Sequence, residues 1–250
     1  MRLKWLMSIC CFIMILLSSC SILDSAIWNK EQLFLIKESE HGMFYSPSND
    51  VLTSQVIEQL EAYFETHYTR ITDMFNYTPA KKTIIHVYTD REQFYKAMGR
   101  ETEGTYDARS KTIKVYTPTD LTNYGVYSEY MFQIVHEFVH AIIQQVNPKV
   151  GQVKWLDEGT AYYASLQLSA ELEYRSPVLH VPTFEQFNSL TFFNDFGGDA
   201  YFYSGMIIKY IVEQYGEDVL NDVIKHPKSF EEIMNRSVED FYIEWKAGIT

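Results

Sequence analysis

Two histidines four positions apart, with a glutamate directly after the first, occur in the stretch QIVHEFVHAIIQQ, residues 133–145. In an α-helix such residues project from the same face about one turn apart, so His136 and His140 can bind one metal ion. Imidazole nitrogens at this spacing suit Zn²⁺, and Glu137 then lies where it can reach a water on that ion. The alternative is a pair of core histidines that hydrogen-bond to protein partners.

A second segment supplies a carboxylate that can complete the pair. A catalytic zinc ion needs three protein ligands and one open position. Glu158 lies in KWLDEGTAYYASLQ, which is predicted to be the next helix after the helix-ending pair Asn147-Pro148. A short loop and an antiparallel return can bring this carboxylate beside His136 and His140. The sequence therefore predicts a His-His-Glu site for Zn²⁺ with water in the fourth position.

The two segments together are similar to a known group of enzymes. HEFVH followed by WLDEGTAYY resembles the gluzincin metallopeptidases, the superfamily of thermolysin and aminopeptidase N, and most closely the peptidase MA-like domains of bacterial lipoproteins. The resemblance covers residues 80–220, with HVYTDREQFYKAMG upstream and YFYSGMIIKYIVEQYG downstream. It implies a zincin-like fold, a bound Zn²⁺ and a peptide or protein substrate.

The resemblance also implies a role for individual residues. His136, His140 and Glu158 become the zinc ligands, and Glu137 becomes the general base that takes a proton from water and passes it to the leaving amine. A hydroxyl donor to the oxyanion is expected from the downstream helix. Tyr201 is the first candidate for that donor and Tyr203 the second.

The sequence departs from the resemblance in two ways that matter for function. It lacks the Gly-x-Met-Glu-Asn stretch with which aminopeptidases hold a substrate amine, so cleavage of an internal peptide bond is the expectation. Tyr162 stands where thermolysin-like enzymes have an aspartate four residues after the third ligand. The partner that orients the zinc histidines is therefore unassigned.

Three other polar residues have more than one interpretation. Asp157 can orient His136 or His140, or it can simply begin its helix. His180 is interpreted as an ordinary loop residue rather than a fourth ligand, because a catalytic site needs water there. His86 falls in the middle of a predicted strand and is interpreted as structural.

The N-terminus has the layout of an export signal. Arg2 and Lys4 precede an apolar run that ends at Leu17, and Ser18-Ser19 lead to Cys20, as in the lipoprotein box whose cysteine is acylated. We predict a signal peptide over 1–19, a lipid-anchored tether over 20–30 and one peptidase domain over 31–250. The protein would then be held by lipid on the outer face of a bacterial cell membrane. A plain signal peptide or an uncleaved anchor is the alternative.

Composition restricts the function classes further. With 46% hydrophobic and 16% aromatic residues the chain is expected to fold. All three cysteines lie within the first 20 residues, so the exported part can form no internal disulfide. A formal charge of −12 argues against nucleic acid as a partner and against electrostatic membrane binding, which leaves the lipid on Cys20 for attachment. The sequence does not indicate an oligomeric state.

The spacing of apolar residues predicts an α+β fold. Strands are expected within 32–46 and in KTIIHVYT and KTIKVYT, with one helix from Asn49 to Asn76 and another from Asp90 to Met98. This mixed sheet with helices extends to about residue 125, and the part 126–250 is mainly helical. The predicted helices of that second part are 126–146, 155–168, 200–215, 217–225 and 229–249, and the cleft between the two parts is the expected active site.

Two functions are consistent with these features. The first is a lipid-anchored, extracytoplasmic zinc-dependent metallopeptidase, and the ligands together with Glu137 favour it. The second is a noncatalytic envelope lipoprotein that uses the same fold to bind a peptide or protein partner.

Overall fold

A five-stranded mixed sheet forms the first part of the fold in a computed structural model that describes residues 32–175 and 180–249. The strand order is β1-β2-β3-β5-β4, in which β2, β3 and β5 are parallel and the two outer strands run antiparallel to their neighbours. β4 is therefore an edge strand with one free side. The strands are β1 Phe34–Glu38, β2 Gly42–Ser46, β3 Thr83–Tyr88, β4 Gly104–Asp107 and β5 Thr112–Tyr116.

The alternation of side chains along β3 explains how the sheet is covered. Ile85 and Val87 point to the main core, where they are fully buried. Tyr88 points to the other face and forms a small second cluster with Phe94 and Tyr116. The inner face thus joins the main core, while the outer face is only partly covered.

The first two helices begin at aspartates that accept hydrogen bonds from backbone N–H groups. α1 (Val51–Met74) is capped by Asp50, and α2 (Arg91–Met98) is capped by Asp90. α2 ends at Gly99, whose positive φ of 66° suits glycine. The expected helices are confirmed here, with the first cap one residue later than Asn49.

The second part of the chain is mostly helical, as the sequence predicts. The predicted helix 155–168 is wrong at its C-terminal end, because the chain turns through Leu166 at φ 75° and a separate helix begins at Gln167. The helices are α3 Tyr124–Val146, α4 Lys154–Ala164, α5 Gln167–Tyr174, α6 Phe184–Phe187, α7 Phe192–Phe196, α8 Gly198–Tyr215, α9 Glu217–Lys225, α10 Phe230–Met234 and α11 Val238–Ile249.

A glycine allows α8 to lie unusually close to α4. A Cβ atom at Gly159 would lie 2.6 Å from the carbonyl oxygen of Ser204, a distance that Cβ atoms do not tolerate. Gly159, the last residue of the segment WLDEG, therefore allows the backbone of α8 to pack against the helix that carries Glu158.

The N-terminal predictions lie outside the described residues. These are the signal peptide, the tether and the acylation of Cys20. Residues from Phe34 onward form one compact unit. In the part of the chain that the structure describes, no helix combines the length and apolar composition needed to cross a bilayer.

His86 generates a prediction about stability and pH. Burial, together with the nearby charge of Lys114, lowers the pKa of His86 from 6.5 to about 4. Between these two values the unfolded chain binds a proton that the folded chain does not, so stability falls as pH decreases from about 6.5 to 4. We therefore expect the free energy of unfolding of His86→Phe to fall by about 1–2 kcal/mol less than that of the wild type over this pH range, a moderate value because the ring is partly exposed. Urea unfolding at pH 7, 5.5 and 4.5 measures it, and equal pH dependence of both proteins would contradict it.

Candidate metal centre

The side chains of His136, His140 and Glu158 meet at one point. The two Nε2 atoms are 3.1 Å apart, and Oε2 of Glu158 lies 3.5 Å from Nε2 of His136 and 3.4 Å from Nε2 of His140. Ligand atoms about 2.0–2.1 Å from a tetrahedral ion are separated by roughly 3.3 Å. These three side chains could therefore hold one metal ion without rearrangement.

Two helices position this group. His136 and His140 are buried on α3, and Glu158 lies on α4, which packs against α3. Asn147 ends α3, and its side-chain amide donates to the carbonyl oxygens of Ile224 (2.9 Å) and Lys225 (3.0 Å) at the end of α9. The turn from α3 to α4 is thereby tied to the helical part.

Each histidine has a partner that fixes its ring. Nδ1 of His140 lies 2.9 Å from Oδ1 of Asp157, and Nδ1 of His136 lies 2.7 Å from Oε1 of Gln167. Both partner oxygens only accept hydrogen bonds, so each Nδ1 is a donor and each Nε2 is the ring atom that faces a metal ion. Asp157 thus orients His140, one of the alternatives that the sequence left open.

Sequence analysis did not find Gln167. It lies just past the turn at Leu166, in a position that the periodicity assigns to the end of a longer helix. No residue type or spacing marks this turn in advance. The sequence indicates only that the usual partner is missing, since Tyr162 occupies the position of the aspartate in thermolysin-like enzymes.

Charges within the group act on each other's protonation. Burial opposes ionisation of Glu158, but the neighbouring His140 and His136 outweigh it and hold the pKa of Glu158 below its usual range. Burial likewise opposes the charged form of His140, and Asp157 and Glu158 raise its pKa well above 6.5 nonetheless. A cation at this point would therefore meet the ionised carboxylate of Glu158.

Glu137 lies beside the group on α3, against the edge strand of the sheet. It is buried, and Nε2 of Gln133 donates to its Oε1 at 2.7 Å. Burial is the main reason that the pKa of Glu137 is raised. A Cβ atom at Gly104 would lie 2.7 Å from Nε2 of Gln133 and 2.9 Å from the same Oε1, so a larger residue here would displace the ends of these two side chains.

The group opens into a cleft of about 540 Å³. Residues of β4 and its approach form one wall, including Arg100 and Gly104, while α4 and α8 contribute to the opposite wall, including Lys154 and Tyr201. The cleft is therefore bounded by a strand edge on one side and by helices on the other.

Tyr201, and not Tyr203, lies in this cleft. Its ring packs edge-on against Phe193 with centroids 5.1 Å apart, and burial with the charges of Glu158 and Glu137 raises its pKa to about 12. Tyr201 is therefore a neutral hydroxyl at pH 7. The hydroxyl of Tyr203 donates to the backbone carbonyl of His180 at 2.9 Å, away from the cleft residues.

The remaining histidines of the sequence analysis do not join the group. His86 contacts Tyr45 on the sheet, and His180 contributes a backbone carbonyl. Among the described residues, no other set of three histidine, cysteine, aspartate or glutamate side chains comes together in this way.

Comparison with protein-family models finds no match for this chain, and comparison with curated proteins finds none either.

The His-His-Glu group generates a prediction about metal content. Purified protein should bind one divalent ion per chain, and Glu158→Ala should weaken binding more than about 100-fold, because even residues that only support a ligand are worth 10- to 100-fold. Metal analysis by mass spectrometry and titration with Zn²⁺ measure this. Glu58→Ala, on the exposed side of α1, is the control and should bind like the wild type. Equal binding by the Glu158 variant would show that Glu158 is not a ligand, and no binding by either protein would show that the histidines are merely packed.

Proposed function

We propose that this protein is a zinc-dependent peptidase that hydrolyses internal peptide bonds. The observation that carries the proposal is the buried carboxylate of Glu137 beside three ligand atoms at tetrahedral spacing, in an open cleft. Two imidazoles and one carboxylate are the ligands of catalytic zinc in several peptidases, and they leave one position free. The resemblance of HEFVH and WLDEG to the gluzincins supports the same choice of metal.

Each polar side chain then has a definite task. A bound zinc ion would polarise the substrate carbonyl and lower the pKa of water at the open position. Glu137 accepts the proton of the attacking water and transfers it to the leaving amine, for which its raised pKa is suitable. Asp157 and Gln167 keep His140 and His136 in the required tautomer.

Tyr201 supplies the hydrogen bond that the developing oxyanion needs. Its hydroxyl remains protonated at neutral pH because its pKa is about 12. A donor held in place by Phe193 and Tyr162 does not have to reorganise during the reaction.

The edge strand β4 offers a way to bind the substrate backbone. It is the last strand of the sheet, and its residues Gly104, Thr105 and Tyr106 line the cleft together with Glu137. An extended peptide can add to such an edge through main-chain hydrogen bonds, which recognise the backbone without requiring a free terminus. This mode favours cleavage within a chain over trimming from its end.

The location follows from the N-terminal sequence. We propose that acylation of Cys20 attaches the protein to the outer face of a bacterial cell membrane, where envelope peptides or proteins are the substrates. The strong negative charge remains an argument against a nucleic-acid partner.

Glu137→Gln separates catalysis from binding. We expect it to retain zinc and to lower kcat by about 100- to 10,000-fold, because the amide cannot accept the proton. Cleavage of a peptide library, followed by mass spectrometry, measures activity beside a zinc titration of the same variant. Full activity would refute the proposed mechanism, whereas a wild type that binds zinc and peptides but cleaves none would establish the noncatalytic alternative.

Tyr201→Phe tests the oxyanion donor. We expect kcat to fall about 100- to 1,000-fold with KM little changed, because the hydroxyl acts on the transition state. Tyr203→Phe is the matched control, since its hydroxyl bonds to a backbone carbonyl elsewhere. If only the Tyr203 variant lost activity, Tyr201 would not be the donor.

A further inference from the structure

The helix α5 (Gln167–Tyr174), which the sequence did not predict as a separate element, contacts both halves of the catalytic site. Its first residue is the partner of His136, and the chain just after its end is bound to the start of α8, which carries Tyr201. We propose that α5 is a brace that positions two groups at once: His136 for the metal ion and Tyr201 for the oxyanion. The proposal rests on the proposed function for its catalytic half, and only on metal binding for the other half.

Two hydrogen bonds to one amide form the N-terminal end of the brace. Oε1 of Gln167 accepts from the His136 ring at 2.7 Å and from the hydroxyl of Ser165 at 3.0 Å. The Gln167 side chain also lies near Glu129 on α3. Gln167 is only 7% exposed, so its amide has few alternatives to this orientation.

The turn before Gln167 explains why the Gln167 side chain points toward His136. Leu166 adopts a left-handed conformation with φ 75°, which is unfavourable for a leucine. A continuous helix through this point would carry residue 167 to a different direction. The left-handed turn at Leu166 therefore begins α5 in an orientation that places the side chain of Gln167 beside His136.

The C-terminal end of the brace is an ionic network. Glu171 accepts from the hydroxyl of Tyr162 at 2.5 Å and from Arg175. Arg175 also binds the carboxylate of Asp199 in the first turn of α8, and its guanidinium lies 3.9 Å from the ring centroid of Phe202. Asp199 and Phe202 lie on either side of Tyr201 along α8, so these contacts fix the start of that helix relative to α5.

The two ends predict separate losses. Gln167→Leu removes the acceptor of His136 and should weaken Zn²⁺ affinity about 10- to 100-fold. Arg175→Gln should leave Zn²⁺ affinity unchanged and lower kcat about 10- to 100-fold, because the first turn of α8, which carries Tyr201, loses its attachment to α5. A merely structural role would lower stability without this division between metal affinity and kcat.

The metal half is tested on the full chain with Zn²⁺ and a competing chelating dye. Gln145→Leu is the matched control, because this half-buried glutamine on α3 bonds to Ala141 and Tyr77 rather than to a ligand. The double variant Glu129→Gln with Gln167→Glu restores an acceptor for His136 and should recover affinity. Wild-type affinity in Gln167→Leu, or no recovery in the double variant, would overturn this half.

The catalytic half is tested by a double-mutant cycle. If Arg175 acts through Tyr201, Arg175→Gln should lower kcat in the wild type but have no further effect in Tyr201→Phe. Glu213→Gln, which breaks the exposed pair with Lys209 near the other end of α8, is the control and should leave kcat unchanged. Additive losses in the cycle would overturn the role of Arg175.

Failure of the proposed function is distinguishable from failure of the brace. A wild-type chain that binds Zn²⁺ but cleaves no peptide removes the proposed function. The Zn²⁺ affinities of Gln167→Leu and of the double variant then decide the metal half of the proposal, which does not depend on catalysis. Weakened and recovered affinity would support it, and unchanged affinity would overturn it.

Discussion

Three polar side chains share one buried point, and the helical part of the molecule is arranged around that constraint. His136, His140 and Glu158 cannot be moved from water at low cost unless they are paired, hydrogen-bonded or bound to a metal ion. Asp157 and Gln167 satisfy the outward-facing ring nitrogens, and Glu158 faces the inward ones. The polar group is thereby organised so that its free electron pairs all point to a single position.

Backbone proximity is what makes this convergence possible. Gly159 lets α8 lie against α4, where a Cβ atom would collide with the backbone of Ser204. Gly104 leaves room beside β4 for the side chains of Gln133 and Glu137. The helices that carry Glu158 and Tyr201 can therefore approach closely, and the Glu137 carboxylate fits beside the strand.

The sequence predicted the centre of the site better than its surroundings. His136, Glu137 and His140 share one helix, and helical periodicity alone determines that the two histidines lie together. The strand β4 was not predicted, because GTYD is short and lacks alternating apolar residues. The α+β order of elements was predicted correctly, whereas the zincin-like cleft stays a prediction.

Gln167 shows why the rest was not accessible from local patterns. Its role depends on a left-handed Leu166, and leucine carries no preference for that conformation. The contact with His136 joins positions 31 residues apart, so neither periodicity nor capping signals could indicate it. As a result, one ligand histidine is supported by the carboxylate of Asp157 and the other by a neutral amide. A carboxylate makes an imidazole more electron-donating than an amide does, so His140 would be the stronger of the two ligands to a metal ion held at this point.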